Sequence, residues 1–227
     1  PVEILTGEEM QQLAKRGDAA LQVRLEELDT ASKKILNWLK QGTHGASFEI
    51  EIPLSAHRLA EKRIGHKIVS HTVNANEIIH ARKRHGLKGT ANNQESIPLR
   101  DEDIALLPYI MASPTRIESG SMNSTGVKSI RYVKDISNGE VICVEYELPL
   151  DEKQMANITM WARKKSSGNA DAMDANQKTA SYTTSETTIV SPEDVIKIRK
   201  DSETAIAEDE KLRLMTISHG RGGGVEF

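Results

Sequence analysis

Ser129-Ile130-Arg131-Tyr132-Val133-Lys134-Asp135-Ile136, the turn Ser137-Asn138-Gly139, and Glu140-Val141-Ile142-Cys143-Val144-Glu145-Tyr146-Glu147-Leu148 decide the fold. Two runs rich in β-branched residues flank a turn whose Asn and Gly tolerate the positive φ of a tight hairpin. A third run, Asn157 to Arg163, follows, so the middle of the chain reads as an antiparallel meander. Period-two alternation puts Ile130, Tyr132 and Lys134 on one face of the first strand, and Arg131 and Val133 on the other. In the third strand Ile158 and Met160 share a face, and Asn157, Thr159, Trp161 and Arg163 share the opposite one. Cations and aromatic rings on such faces suit phosphates and stacked bases.

Toward the N-terminus, Leu13, Leu21, Leu25, Leu28, Ile35, Leu36 and Leu39 recur at helical spacing over residues 8–40, with Gly17 as a break. Gln41-Gly42-Thr43-His44-Gly45 ends that helix. Ser47 to Pro53 alternates as a half-buried strand does, and Ser55 opens a short helix. Asn74 can cap a helix that runs to His85, with Glu77 three residues on and Gly86 as the stop. Asp101-Glu102-Asp103 starts another, with Ile104, Leu107 and Ile110 on its apolar face; Pro108 bends or shortens it and Pro114 ends it.

On the C-terminal side, residues 166–188 are rich in Ser, Thr, Ala and Asn, with a strand expected near Ala180 to Thr184. Ser191-Pro192-Glu193-Asp194 then starts a final helix, and His219 to Gly224 reads as a flexible tail. The expected fold is α+β: N-terminal helices, a small antiparallel sheet and an extra C-terminal helix. Its parts are a helical segment over 1–45, the sheet-bearing domain over 46–188, and the C-terminal helix and tail over 189–227.

Thirty Lys and Arg against thirty-three Asp and Glu give a net charge of −3, which argues against coating nucleic acid through bulk charge. Locally, Arg58 to Lys88 holds eight basic residues and two acidic ones, a net of +6, with His66, His71, His80 and His85. This segment suits an anionic ligand such as a phosphate backbone. His80 and His85, five residues apart on one helix, point about 140° apart and do not share a metal unaided. The lone Cys143 rules out an internal disulfide and a Cys-rich zinc site. No phosphate-binding glycine loop, HExxH pair or GxSxG elbow is present. No run approaches the ~18 apolar residues of a membrane span, and a soluble protein without a standard signal peptide is expected. His85 lies in the last turn of its helix, where the dipole is expected to favour imidazolium and raise its pKa toward neutrality, suiting an acid or a base.

Five segments in order carry a resemblance: Ile79-His80-Ala81-Arg82-Lys83-Arg84-His85-Gly86, Ile97 to Ile104 with Leu107-Pro108, Ser113-Pro114-Thr115-Arg116-Ile117, Ile130 to Asp135, and Ile158-Thr159-Met160-Trp161. Over about residues 48–165 they resemble the phage-associated members of the barnase, EndoU, colicin and RelE-like (BECR) nuclease superfamily, found in phage MuF-type head proteins and polymorphic toxins. The resemblance implies helices leading into a four-stranded antiparallel sheet, and a metal-independent endoribonuclease without cofactor. In that chemistry the ribose 2′-hydroxyl attacks the adjacent phosphorus and leaves a 2′,3′-cyclic phosphate, which needs a base, an acid and cationic or hydroxyl donors.

Carried over by position, His85 is the general acid or base and His80 its helper. Lys134 stabilises phosphate charge, Tyr132 positions or stacks, and Thr159 donates a hydrogen bond. Arg82, Arg84, Arg131 and Trp161 bind substrate, and Tyr182 and Thr183 are candidates from a fourth strand. The loop Ala91 to Ser96, with Arg100 at the cap position, departs from the family pattern. The implied partners are RNA, transfer RNA among the candidates, and an immunity or antitoxin protein, in the cytoplasm of a producing or target bacterium or with a phage; no membrane is implied and the oligomeric state is left open. The rival reading is an inactive phage head-associated structural or RNA-binding module on the same fold, which the net charge favours. A small-molecule enzyme on an α+β sheet has no motif behind it.

Overall fold

A computed structural model describes residues 6–90, 95–122, 126–148, 151–164 and 190–220. Helix α1 (Gly7–Gln41) runs unbroken through Gly17 and buries Leu28, Ala31, Ile35 and Leu39, one stripe at helical spacing. Gly17 marks a close approach and not a break: a Cβ there would lie 2.5 Å from Leu214 Cδ1. Next come β1 (Ser47–Ile50), α2 (Leu54–Ile64) and β2 (Ser70–Asn74). Then α3 (Ala75–His85) is capped by the Asn74 side chain, which accepts the Asn76 N–H at 2.9 Å.

A two-residue strand β3 (Ser96–Ile97) leads to α4 (Asp101–Ile104) and α5 (Leu107–Ala112). The single helix expected here divides at Ala105-Leu106, and Pro108 sits in the first turn of α5, where its missing N–H is no loss. At the start of α4 the Asp103 carboxylate reaches back to the Arg100 N–H at 2.8 Å. The meander follows as β4 (Arg116–Ser119), β5 (Ser129–Ile136), β6 (Gly139–Leu148) and β7 (Asp151–Lys164), and α6 (Pro192–Gly220) closes the described chain. Since α6 extends to Gly220, His219 belongs to the helix and not to a tail. The strand expected near Ala180 to Thr184 lies outside the described residues.

The sheet runs β1-β2-β7-β6-β5-β4, with β3 also on β7. It is larger than four strands and not wholly antiparallel, because β2 pairs with β7 in parallel. The cause is the length of β7: β6 pairs along one edge of its 14 residues, and the other edge takes β2 at Gln154–Ala156 and β3 at Ala162–Arg163. One register shift, Val144 opposite Thr159 but Glu145 opposite Asn157, leaves one extra residue on β7.

One face of the sheet is covered by helices. Ile130, Tyr132, Cys143, Met160 and Ala162 meet Ile35 and Leu39 of α1, Ile78 of α3, Ile110 of α5 and Ile198 and Ile206 of α6 in one apolar cluster. The N-terminal and C-terminal helices therefore share the core of the sheet. On the other face Val133, Ile142 and Val144 form a small separate cluster with Tyr146 and Trp161 packed against it. Among the described residues no helix is long and apolar enough to cross a membrane.

Candidate functional site

Strand register lays out the face away from the helices in rows. Arg131, Val144 and Thr159 stand abreast on β5, β6 and β7; Val133, Ile142 and Trp161 form the next row; Asp135, Glu140 and Arg163 form the third. Between the first two rows the Arg131 guanidinium lies over the Trp161 ring, 5.9 Å from its centroid. From the end of α3 the His85 ring approaches the same indole, centroids 6.0 Å apart and tilted by 36°. The hydroxyl of Thr159, in the same row as Arg131, is buried without a hydrogen-bond partner.

In the third row Glu140 is held between two guanidiniums: Arg116 Nη2 is 2.5 Å from one carboxylate oxygen and Arg163 Nη2 2.5 Å from the other. Burial alone would raise the Glu140 pKa, but these two partners hold it below the usual carboxylate range. Arg116 also binds Glu118 and Asp135, at 2.6 and 2.9 Å. This carboxylate with its two arginines escaped the sequence reading. Alternation placed Arg163 on the correct face, but the pairing of β6 with β7 that sets Glu140 beside it is a matter of register.

His85 departs from the expectation set by its helix end. Its pKa is lowered, first by burial and then by the charges of Arg84 and His80, and not raised. It is thus mainly neutral at pH 7. His80 is exposed and acts on His85 only through charge. Arg84 is exposed beside it, while Arg82 is spent on structure, donating to the Leu39 carbonyl at 2.5 Å and pairing with Asp101 at 3.4 Å.

Lys134 and Tyr132 stand on the opposite, helix-covered face and do not join this group. Lys134 is 3% exposed, and its ammonium donates to the Ser113 carbonyl at 2.6 Å and to Asp201 at 2.8 Å. Tyr132 is fully buried and donates to Glu145 Oε2 at 2.8 Å. Both take this side because they alternate with Arg131 and Val133, and the helices cover it. Tyr182 and Thr183 lie outside the described residues. The face thus unites His85, Arg131, Thr159 and Trp161, with Arg84 at its margin.

A second constellation on the helix-covered side was not foreseen at all. His71 of β2 has Nδ1 2.9 Å from Glu145 Oε2, and its Nε2 lies 3.0 Å from Nδ1 of His57 on α2. His57 Nε2 is 3.4 Å from Glu61 Oε1, which also accepts the Ile68 N–H at 3.0 Å. Fourteen residues separate the two imidazoles, and only the packing of α2 beside β2 joins them. Both line a cavity of about 800 Å³ between α1, β1, α2 and α6. Its walls carry Glu26, Glu27, Glu49 and Glu51 against Arg24, Lys34 and Arg213. Arg24 is already committed to Asp209 and Glu210, at 2.6 and 2.7 Å. With its cations matched or outnumbered by carboxylates, this cavity offers no positive excess to a polyphosphate chain, which leaves the Arg131-Trp161-His85 face as the better ground for nucleic acid.

The family model described as phage-Barnase-EndoU-ColicinE5/D-RelE like nuclease3 matches residues 57–170, half of the chain, and the chain belongs to that nuclease family. The match spans α2 to β7 and so takes in both constellations. No curated protein and no solved structure matches the chain.

Proposed function

We propose that the chain is a metal-independent endoribonuclease, a toxin-type domain of phage or mobile-element origin, acting on RNA in the bacterial cytoplasm and held in check by an immunity or antitoxin protein. The observation that supports this most is the contact run His85-Trp161-Arg131 on one sheet face of a nuclease-family fold. It supplies an imidazole, a stacking ring and a cation side by side.

In this reading a base of single-stranded RNA stacks at Trp161, and Arg131 meets the adjacent phosphate. His85, held neutral by burial, takes the proton of the 2′-hydroxyl as its oxygen bonds to phosphorus. The bond from phosphorus to the 5′-oxygen breaks, that oxygen leaves with a proton from water, and the imidazolium returns its proton to solvent. Arg163 stabilises the charge that builds on the phosphoryl oxygens. Glu140 keeps Arg116 and Arg163 in place until phosphate competes for them.

The test is incubation of the purified protein with total and transfer RNA in EDTA, beside His85→Ala, with mapping of the product ends. Discrete fragments with 2′,3′-cyclic phosphate ends, lost in the variant, bear out the proposal. Salt-dependent RNA binding with no product between about pH 5 and 8, where imidazole titrates, would select the inactive RNA-binding module that the net charge of −3 favours.

A further inference from the structure

The chain of groups from Tyr132 through Glu145, His71 and His57 to Glu61 joins β5, β6, β2 and α2, and its two imidazoles line the cavity. It contains three contacts made by imidazole nitrogens: Glu145 with His71, His71 with His57, and His57 with Glu61. Each needs one hydrogen, and two imidazoles that hold three hydrogens carry one positive charge. A fourth proton would set two N–H groups against each other across the 3.0 Å His57-His71 contact. With only two, one contact has no hydrogen to share.

We propose that His57 and His71 form a proton-set latch, closed by one shared positive charge that holds α2 against β2 and β6, and opened when a second proton turns His57 away from His71 into the cavity. The surroundings favour the singly charged state. His71 faces the fully buried Glu145, and Tyr132 lies edge-on with ring centroids 6.5 Å apart. His57 faces Glu61 and, further off, Lys67. Across the cavity stand Arg24 of α1, Glu51 beyond β1 and Arg213 of α6.

Burial alone would lower the His71 pKa, but Glu145 raises it above the ordinary value; burial and then the His71 charge lower that of His57. A pair so coupled titrates in two separated steps. Since the folded state holds the first proton more tightly than the unfolded chain, that stabilisation is present in acid and lost as pH rises through the upper step. Since it holds the second less tightly, stability falls as pH drops below the ordinary histidine value toward the lower step. The latch therefore contributes most between the two, with the opening on the acid side gated at His57.

The test follows imidazole ¹⁵N shifts of the whole protein from about pH 4.5 to 8.5, beside urea unfolding of wild type, His57→Gln and the exposed-site control His80→Gln. Expected is a His71 that is still cationic at pH values where His57 is already neutral. Expected on acidification is a separate His57 step below that of His71, accompanied by amide shifts in α2 and around the cavity. His57→Gln should reduce the stability difference between pH 7 and pH 5 that wild type and His80→Gln show, what remains belonging to groups outside the latch such as His85, whose pKa is likewise lowered. Coincident titration of the two rings near the ordinary value would overturn the proposal, and so would an unchanged pH profile in His57→Gln. If that variant does not fold, the wild-type titration alone decides.

Discussion

Tyr132 and Trp161 stand on opposite faces of one sheet, the phenol fully buried and bonded to Glu145 at 2.8 Å, the indole half-buried under the Arg131 guanidinium. Their roles divide accordingly. Trp161→Ala and Arg131→Ala are expected to weaken RNA binding, the tryptophan change by about 1–3 kcal/mol, the usual worth of one stacked base. Tyr132→Phe should instead lower stability by about 1–2 kcal/mol by removing a buried hydrogen bond, with cleavage per folded molecule unchanged. Filter binding, cleavage rates and urea melts of the three variants check this; a catalytic loss in a fully folded Tyr132→Phe protein would refute the division.

Lys134 provides the second test. Its buried ammonium bridges Ser113 of the α5 end to Asp201 of α6, so its work is to dock the last helix on β5. Lys134→Ala should destabilise by about 2–3 kcal/mol, since the Ser113 carbonyl loses its charged donor while the partly exposed Asp201 can recover solvent. Lys134→Met, which keeps the stem, should recover part of it. Thermal melts and specific activity measured together separate this from a phosphate-binding role, for which the folded fraction would be inactive.

Glu140 links pH to stability with a definite sign. Its folded pKa lies below the unfolded value, so it contributes stability above the ordinary glutamate range and loses it as pH falls through the folded value. The difference in unfolding free energy between wild type and Glu140→Gln should be present at pH 6 and shrink as pH falls below the ordinary glutamate range. At neutral pH the variant should also cleave RNA more slowly, because Arg116 and Arg163 lose the carboxylate that positions them. Urea titrations at several pH values and cleavage rates at pH 7 measure the two effects separately.

Two glycines should respond differently to alanine. At Gly139, which closes the hairpin, a Cβ would lie 2.0 Å from the Arg163 carbonyl oxygen, so backbone must move on the strand that carries Trp161. At Gly17 the obstacle is Leu214 Cδ1, the end of a side chain that can turn aside. Gly139→Ala is expected to cost more than about 1 kcal/mol and to reduce RNA binding, and Gly17→Ala less. Equal melting temperatures for the two variants would contradict this.

The hairpin was legible because its causes are local. Alternation from Ser129 to Leu148 and the turn at Ser137-Asn138 set two strands and their faces, although Gly139 is not at the positive φ expected of it and opens β6 opposite Ile136. Asn74 fixed the start of α3 by a bond to a residue two places away. Alternation also separated Arg131 from Tyr132 and Lys134. What it could not say was which face the helices would cover, so the carried-over residues combined groups from both sides.

That choice was made by tertiary structure. β2 had no legible pattern, because a strand that gains its partner by parallel pairing to the outer edge of β7, about eighty residues on, has no turn to announce it. The Glu140 pair of arginines and the His57-His71 contact depend in the same way on register and helix packing between residues 23 and 14 positions apart. Sequence by itself determined the local elements, the antiparallel meander and the basic helix that ends at His85, since short-range backbone preferences and side-chain periodicity suffice for these. Which ionisable groups meet was decided only when the apolar face of the sheet closed against α1, α3, α5 and α6, for burial fixes the side on which each charge must find a partner.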